Sequence, residues 1–283
     1  MNDAGRDPLS SFTELARWAA ERGISLATAR VRFAQWAMLA AIAEAPPLRE
    51  GMIFKGGNAL DFVWNPNRST MDLDFSIERG HLGHATLRPA LDAALEAGQR
   101  RHGVLARVQR WNVYPRNPDQ AAFSAVQASI GYALPDQVTV IRRLETGLTS
   151  AQVIPLDIAF DDPICASEVH SFGSGIAITV ATAEDIAAEK LRALLQQPIR
   201  NRSRPQDVLD LALLIRTGTL GADAVGQFLI VKATARDVPV SRAAFADPAI
   251  RERASRDYRL LAAQTRQTFI PFDEAFVETL PIP

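Results

Sequence analysis

The residues best suited to chemistry start with a pair of aspartates. From Met71 to Ile77 the chain alternates, with Met71, Leu73, Phe75 and Ile77 apolar and Asp72, Asp74 and Ser76 polar. A period of two predicts a half-buried strand carrying both carboxylates on one face. Two residues along a strand stand about 7 Å apart, so the ionised pair repels by roughly 2–3 kcal/mol at an effective dielectric near 20. Water tolerates that repulsion, but a cavity wall calls for a cation. A hard divalent ion with oxygen ligands, most simply Mg²⁺, suits the pair. Upstream, Gly56 and Gly57 open a short expected helix from Asn58 to Phe62. Without Cβ atoms that corner lets the backbone approach a phosphate, and helix N-terminal N–H groups attract anions. A phosphate cradle beside a metal site points to a bound nucleoside triphosphate. Taken singly, the two elements read better as a solvated strand edge and an ordinary glycine turn.

Taken together they are more specific. Lys55-Gly56-Gly57-Asn58-Ala59-Leu60 and Arg68-Ser69-Thr70-Met71-Asp72-Leu73-Asp74-Phe75 resemble the first motif of the AbiEii-type nucleotidyltransferase toxins. These form a branch of the polymerase-β-like nucleotidyltransferase superfamily that includes the mycobacterial MenT toxins. Asn58 departs from the pattern, where Ser or Thr is usual, although an amide also hydrogen-bonds a phosphate oxygen. Glu189-Lys190-Leu191-Arg192-Ala193-Leu194 resembles the family's second motif, whose lysine meets the triphosphate. Arg204-Pro205-Gln206-Asp207-Val208-Leu209-Asp210-Leu211 resembles its third. Asp207 and Asp210, three apart on a helix, share a face. Asp207 is preferred as the active-site member, and a carboxylate stabilising the helix N-terminus is the plainer role for the other.

The resemblance implies an α/β (α+β) fold: a polymerase-β-like core with a mixed sheet, then a C-terminal helical domain, with nucleotide in the cleft between them. The expected division is residues 1–50 as helices packing on the core, 51–180 as the nucleotidyltransferase core and 181–283 as the helical domain. It also requires a third acidic ligand. In the predicted strand 152–160, Ile154, Leu156, Ile158 and Phe160 alternate with Val153, Pro155, Asp157 and Ala159, so Asp157 projects away from the apolar row. Placed beside the Asp72–Asp74 strand, at a spacing of about 5 Å, it completes the set. Asp161 and Asp162 are rivals better read as turn residues.

The implied activity is transfer of nucleotides from an NTP to RNA, the family precedent being the 3′ end of transfer RNA, with loss of translation. Asp72, Asp74 and Asp157 would hold Mg²⁺. Gly56, Gly57 and Asn58 would take the outer phosphates and Lys190 would neutralise them. Arg204 and Asp207 would position nucleotide or acceptor, with Asp210 alongside. A cognate antitoxin is implied as partner, and phosphorylation at Ser69 or Thr70, adding charge beside Asp72, is one way it would act. Competing readings keep the site for a protein or small-molecule hydroxyl, or make the chain a non-catalytic nucleotide-binding module.

The elements that position these residues are legible in outline. Helices are expected at 12–22 and 26–45, the second capped by Ser25 and ended by Pro46 and Pro47. Phe33, Trp36, Ala37, Ala40 and Ala41 mark a buried stripe, which favours core packing over a DNA-reading helix pair. A helix over 82–101 precedes a cluster of Arg100, Arg101, Arg107, Arg110 and Arg116, read as solvated surface or as a phosphate track. Further strands are expected at 106–113, 124–133 and 176–180, and a helix at 182–195 capped by Thr182. His81 and His84 lack a third ligand at matching spacing. From Gly218 the chain reads as further helices carrying Arg236, Arg242, Arg251, Arg253, Arg256, Arg259 and Arg266.

With 283 residues and a net charge of −1, the chain has ample material for a core and no overall basicity to announce nucleic acid. Its one cysteine, Cys165, excludes an internal disulfide or a cysteine-rich zinc site. Neither a signal-like N-terminus nor a membrane-length apolar run is present, so a cytoplasmic protein without membrane contact is expected. Lysine occurs only at positions 55, 190 and 232.

Overall fold

The structure, a computed structural model, describes residues 11–64, 70–78, 80–118, 121–173, 175–265 and 269–279. The loop Asn65-Pro66-Asn67, Arg68, Ser69 and Arg266 lie outside them. The chain divides into two compact units: Met1–Phe54, Met71–Asp161 and Val169–Val180 form unit 1, and Lys55–Thr70, Asp162–Glu168 and Ala181–Pro283 form unit 2.

Unit 1 begins with α1 (Leu15–Glu21), α2 (Leu26–Glu44) and α3 (Pro46–Gly51). The Ser25 side chain accepts from the Thr28 N–H and starts α2 as expected. Every residue of α2 from Arg32 to Ala43 is buried, so the helix is surrounded by protein and shows no single stripe. Such a helix offers no face to DNA. Its alanines keep it slim, and Gly98 on α5 (His84–His102) lets that neighbour come close: a Cβ there would stand 2.5 Å from the Ala41 Cβ. Pro46 and Pro47 end α2 and also start α3, because proline in the first turn forfeits no helical hydrogen bond.

The strands are β1 (Met52–Lys55), β2 (Leu73–Ile77), β3 (Leu105–Tyr114), β4 (Ser124–Ala133), β5 (Val153–Phe160), β6 (Ser167–Ser171) and β7 (Ala177–Ala181), in one sheet ordered β3-β4-β5-β2-β1-β7-β6. β2 runs parallel to β5 and β1 to β7, while β3 with β4 and β4 with β5 are antiparallel. The sheet is therefore mixed, as expected. Burial alternates along β5, with Ile154, Leu156 and Ile158 fully buried. In β2 the alternation holds only from Leu73: Met71, expected in the apolar row, precedes the strand and is 48% exposed. β6 and α6 (Val138–Glu145) were not anticipated.

Unit 2 holds the Gly-Gly turn as α4 (Gly56–Ala59), running into a π-helical turn at Leu60–Trp64. The remaining helices are α7 (Ala183–Leu195), α8 (Gln197–Arg200), α9 (Pro205–Arg216), α10 (Ala222–Thr234), α11 (Arg242–Phe245), α12 (Pro248–Ser255) and α13 (Phe272–Thr279). Thr182 caps α7 by accepting from the Asp185 N–H, and Pro205 occupies the first turn of α9. Packing of α7 on α9 and α10, and of α9 on α13, makes its core. Among the described residues no helix is long and apolar enough to cross a membrane.

Candidate active site

In unit 1 the parallel register pairs Asp74 with Asp157 directly, which sets the two residues about 5 Å apart across the sheet. On the other side of Asp157 the antiparallel register places Gln127, so a row of polar side chains crosses three strands on the face opposite Leu156 and Ile158. Burial pushes the Asp157 carboxyl above its usual range, and the charge of nearby Asp72 adds to that push. Asp74 and Asp157 are thus neighbours in the sheet, and Asp72 is near enough for its charge to act on Asp157.

Two residues that sequence reasoning missed hold this segment in place. The buried Gln35 of α2 donates from Nε2 to the Met71 carbonyl at 3.1 Å, and Arg32 donates to Gln35 Oε1 at 3.2 Å. The signal was partly available: Arg32 and Gln35 flank the apolar Phe33 and Ala34 in α2 and are its buried polar side chains, and a buried polar side chain needs a partner.

The expected ligand set can be tested against the chemistry of Mg²⁺. Among the described residues no group of three or more His, Cys, Asp or Glu side chains is placed to hold a metal ion by itself. Mg²⁺ rarely relies on protein ligands alone; it is held by one or two carboxylates, with waters and substrate phosphates completing the octahedron. Adjacent Asp74 and Asp157, with Asp72 within electrostatic reach, supply hard oxygen donors of that kind and fit the ion. His84 instead stacks on Phe160 and hydrogen-bonds Ser124 at 3.1 Å, while His81 lies 3.9 Å from Glu78.

In unit 2 the helix expected from Asn58 to Phe62 instead begins at Gly56 and passes into the π-helical turn at Leu60, so the glycine pair forms its first turn. Gly56 has φ +75°, a left-handed conformation that glycine adopts without steric cost. Asn58 is fully buried and its Nδ2 donates to the Thr70 carbonyl at 3.1 Å, closing the ends of the intervening loop. Thr70 thus has a structural contact, while Ser69 is not described.

All three lysines are buried and face carboxylates. Lys190 Nζ lies 3.0 Å from Asp207 Oδ1 and 2.8 Å from Asp210 Oδ2, so both aspartates of the third motif meet the lysine of the second. Lys55 donates to Asp162 Oδ2 at 3.2 Å and to Glu189 Oε2 at 3.1 Å, and Lys232 pairs with Asp185 at 2.8 Å. Asp162, expected as a turn residue, is therefore corrected: Arg236 also grips its Oδ1 at 2.6 Å. Burial raises its pKa, but Lys55 and Arg236 outweigh that and hold it well below the usual range. Asp161 is the turn residue, with φ 60° and its N–H donating to the Ile77 carbonyl. Arg204 sits at the head of α9 with its own N–H bound to Gln197 Oε1 at 2.8 Å. Of the other basic cluster, Arg100 and Arg101 pair with Glu96 and Glu44, as befits solvated surface.

The family model described as nucleotidyl transferase AbiEii toxin, type IV TA system, matches residues 37–278. The chain belongs to the AbiEii nucleotidyltransferase toxin family. Membership makes this AbiEii-family chain a nucleotidyltransferase toxin of a type IV toxin–antitoxin system, with an NTP as substrate, a divalent metal as the family's general requirement and an antitoxin as partner. Among curated proteins none matches it significantly. Solved structures show the same fold. JHP933 from Helicobacter pylori is 19% identical with a TM-score of 0.54, the alignment covering 91% of this chain and 90% of that one. MenT4, a nucleotidyltransferase toxin from Mycobacterium tuberculosis H37Rv, is 17% identical with a TM-score of 0.50, over 95% and 87% of the two chains.

Proposed function

We propose that this AbiEii-family chain uses Mg²⁺ to move nucleotides from an NTP to an RNA acceptor, the 3′ end of a transfer RNA, and so blocks translation in the cytoplasm. Support comes above all from one observation: the register that sets Asp74 beside Asp157 on the face that also feels Asp72. Nucleotidyl transfer needs little covalent help from a protein, because positioning and neutralisation of charge supply the rate. An acceptor hydroxyl attacks the α-phosphorus, the new phosphodiester forms and pyrophosphate leaves. Asp72, Asp74 and Asp157 would hold the metal, and Asp157 would take the proton from the attacking hydroxyl. Mg²⁺ bound there would screen the triphosphate and stabilise the charge that develops on it.

In unit 2, Gly56 and Gly57 let the backbone approach the outer phosphates, and Asn58 fixes the shape of that corner. Lys190, oriented by Asp207 and Asp210, supplies positive charge toward the phosphates. Arg204 positions nucleotide or acceptor. The proposed organisation keeps residues 1–50 as supporting helices, 51–180 as catalytic core and 181–283 as the helical domain.

Incubation with each labelled NTP, total RNA and cell lysate tests the assignment. Label entering RNA from the wild type but not from Asp72→Ala is expected. Label entering only protein or a small molecule would replace the RNA acceptor with another hydroxyl, and nucleotide binding without pyrophosphate release would remove the enzyme.

A further inference from the structure

The turn between α7 and α9 carries a cluster of arginines that the proposed catalytic assignment uses only in part, through Arg204. Arg192, Arg200, Arg202, Arg204 and Arg236 line a single cavity of about 90 Å³. Arg236 is committed to Asp162, and Arg192 lies 4.0 Å from Glu189. Arg200, Arg202 and Arg204 make no ion pair among the described residues, and the first two are exposed at the surface. Their shared field is felt within the group: burial, then Arg236, Arg192, Arg202 and Arg204, push the Arg200 guanidinium pKa down. Like charges gathered around a cavity are unfavourable unless an anion joins them.

The turn is built to hold them there. Gln197 is fully buried; its Oε1 accepts from the Arg204 N–H, and its Nε2 donates to the Leu194 carbonyl at 3.2 Å. Asn201 takes a left-handed conformation, φ 49°, and its Oδ1 accepts from Arg253 at 2.8 Å. Arg253, on α12, likewise has no ion pair among the described residues. Positive charge therefore continues from the cavity along the surface of unit 2.

Size and layout decide what fits. At about 90 Å³ and walled mainly by guanidinium groups, it is smaller and far more polar than the apolar cavity of roughly 150 Å³ that takes a benzene ring, and it suits a phosphate. Guanidinium forks grip phosphate oxygens bidentately. A lone phosphate would not call on Arg253 as well, whereas a polymer with regularly spaced phosphates would. We propose that the arginine cavity seats a backbone phosphate of the RNA acceptor, with Arg253 taking a neighbouring one. This rests on the RNA acceptor proposed above and gives it an anchoring point remote from base identity, so the grip is independent of sequence.

The test uses the full chain and a short fluorescein-labelled single-stranded RNA, with anisotropy read over a range of salt. Removing one arginine–phosphate pairing flattens the slope of log K against log salt by about 0.7. Arg200→Gln/Arg202→Gln, at exposed positions, is expected to weaken RNA binding roughly tenfold and flatten the slope accordingly. Wild-type affinity and slope in the double variant would overturn the proposal. So would a loss confined to binding of the NTP, which would give the cavity to the triphosphate. Loss of RNA binding in the variant, with no label passing from any NTP to RNA in the wild type, supports the cavity while refuting the transfer.

Discussion

Lys190→Met is the most informative single perturbation. The ammonium meets Asp207 and Asp210 at 3.0 and 2.8 Å, and the three side chains are 9%, 6% and 3% exposed. Removing the cation strands two carboxylates in the core of unit 2, where water cannot replace it. Breaking a buried ion pair by deleting one partner costs about 3–5 kcal/mol. At about 2–4 °C per kcal/mol for a domain of 150–250 residues, the melting temperature should fall by roughly 6–20 °C. Lys190→Met/Asp207→Asn/Asp210→Asn removes the stranded charges and should recover most of that loss. Thermal melting by circular dichroism at neutral pH reads both variants. A single variant melting within about 2 °C of the wild type, or a triple variant no more stable than the single one, would refute the buried triad. Transfer assayed below the melting point of each variant then separates a role toward phosphates from one in folding alone.

Asp157→Asn should lower nucleotidyl transfer by about a hundred- to a thousandfold, and Mg²⁺ should raise the melting temperature of the wild type but not of this variant, as scanning fluorimetry would record. Gly56→Ala forces a Cβ into a left-handed residue, so chemical denaturation should show a loss of about 1–2 kcal/mol, accompanied by weaker NTP binding in calorimetry. Asp162 has a depressed pKa in the fold; its contribution is complete above the unfolded value of about 3.9 and is lost as pH falls through the folded one. The urea midpoint of the wild type should therefore drop below about pH 4 more steeply than that of Asp162→Asn, and parallel curves would exclude the Lys55–Asp162–Arg236 linkage.

Local periodicity carried much of this molecule into view. The alternation along residues 153–160 set Asp157 opposite its apolar neighbours, and that is how β5 lies. Ser25 and Thr182 capped the helices expected of them. Pairings distant in sequence were harder. Asp162 looked like a turn residue because nothing nearby in the chain reveals Lys55, 107 residues earlier, or Arg236, 74 later. The stripe read on α2 was too narrow because α1, α3 and α5 enclose the helix on several sides, and alanine, small enough for either setting, does not announce which. Pro46 and Pro47 could be read as a stop, yet the same fixed φ suits a first turn. Both aspartates of the third motif sharing Lys190 could not be weighed without knowing that α7 packs on α9.

Because Lys55, Lys190 and Lys232 are only 7%, 8% and 3% exposed, the folded chain offers amine chemistry almost no side chain. Acylating dyes, ester cross-linkers and a lysine-specific protease would reach these three side chains only when unit 2 opens. Their reaction rates accordingly become a clock for that opening. The arginine-rich exterior remains untouched by such reagents, so its charge can be probed separately with dicarbonyls.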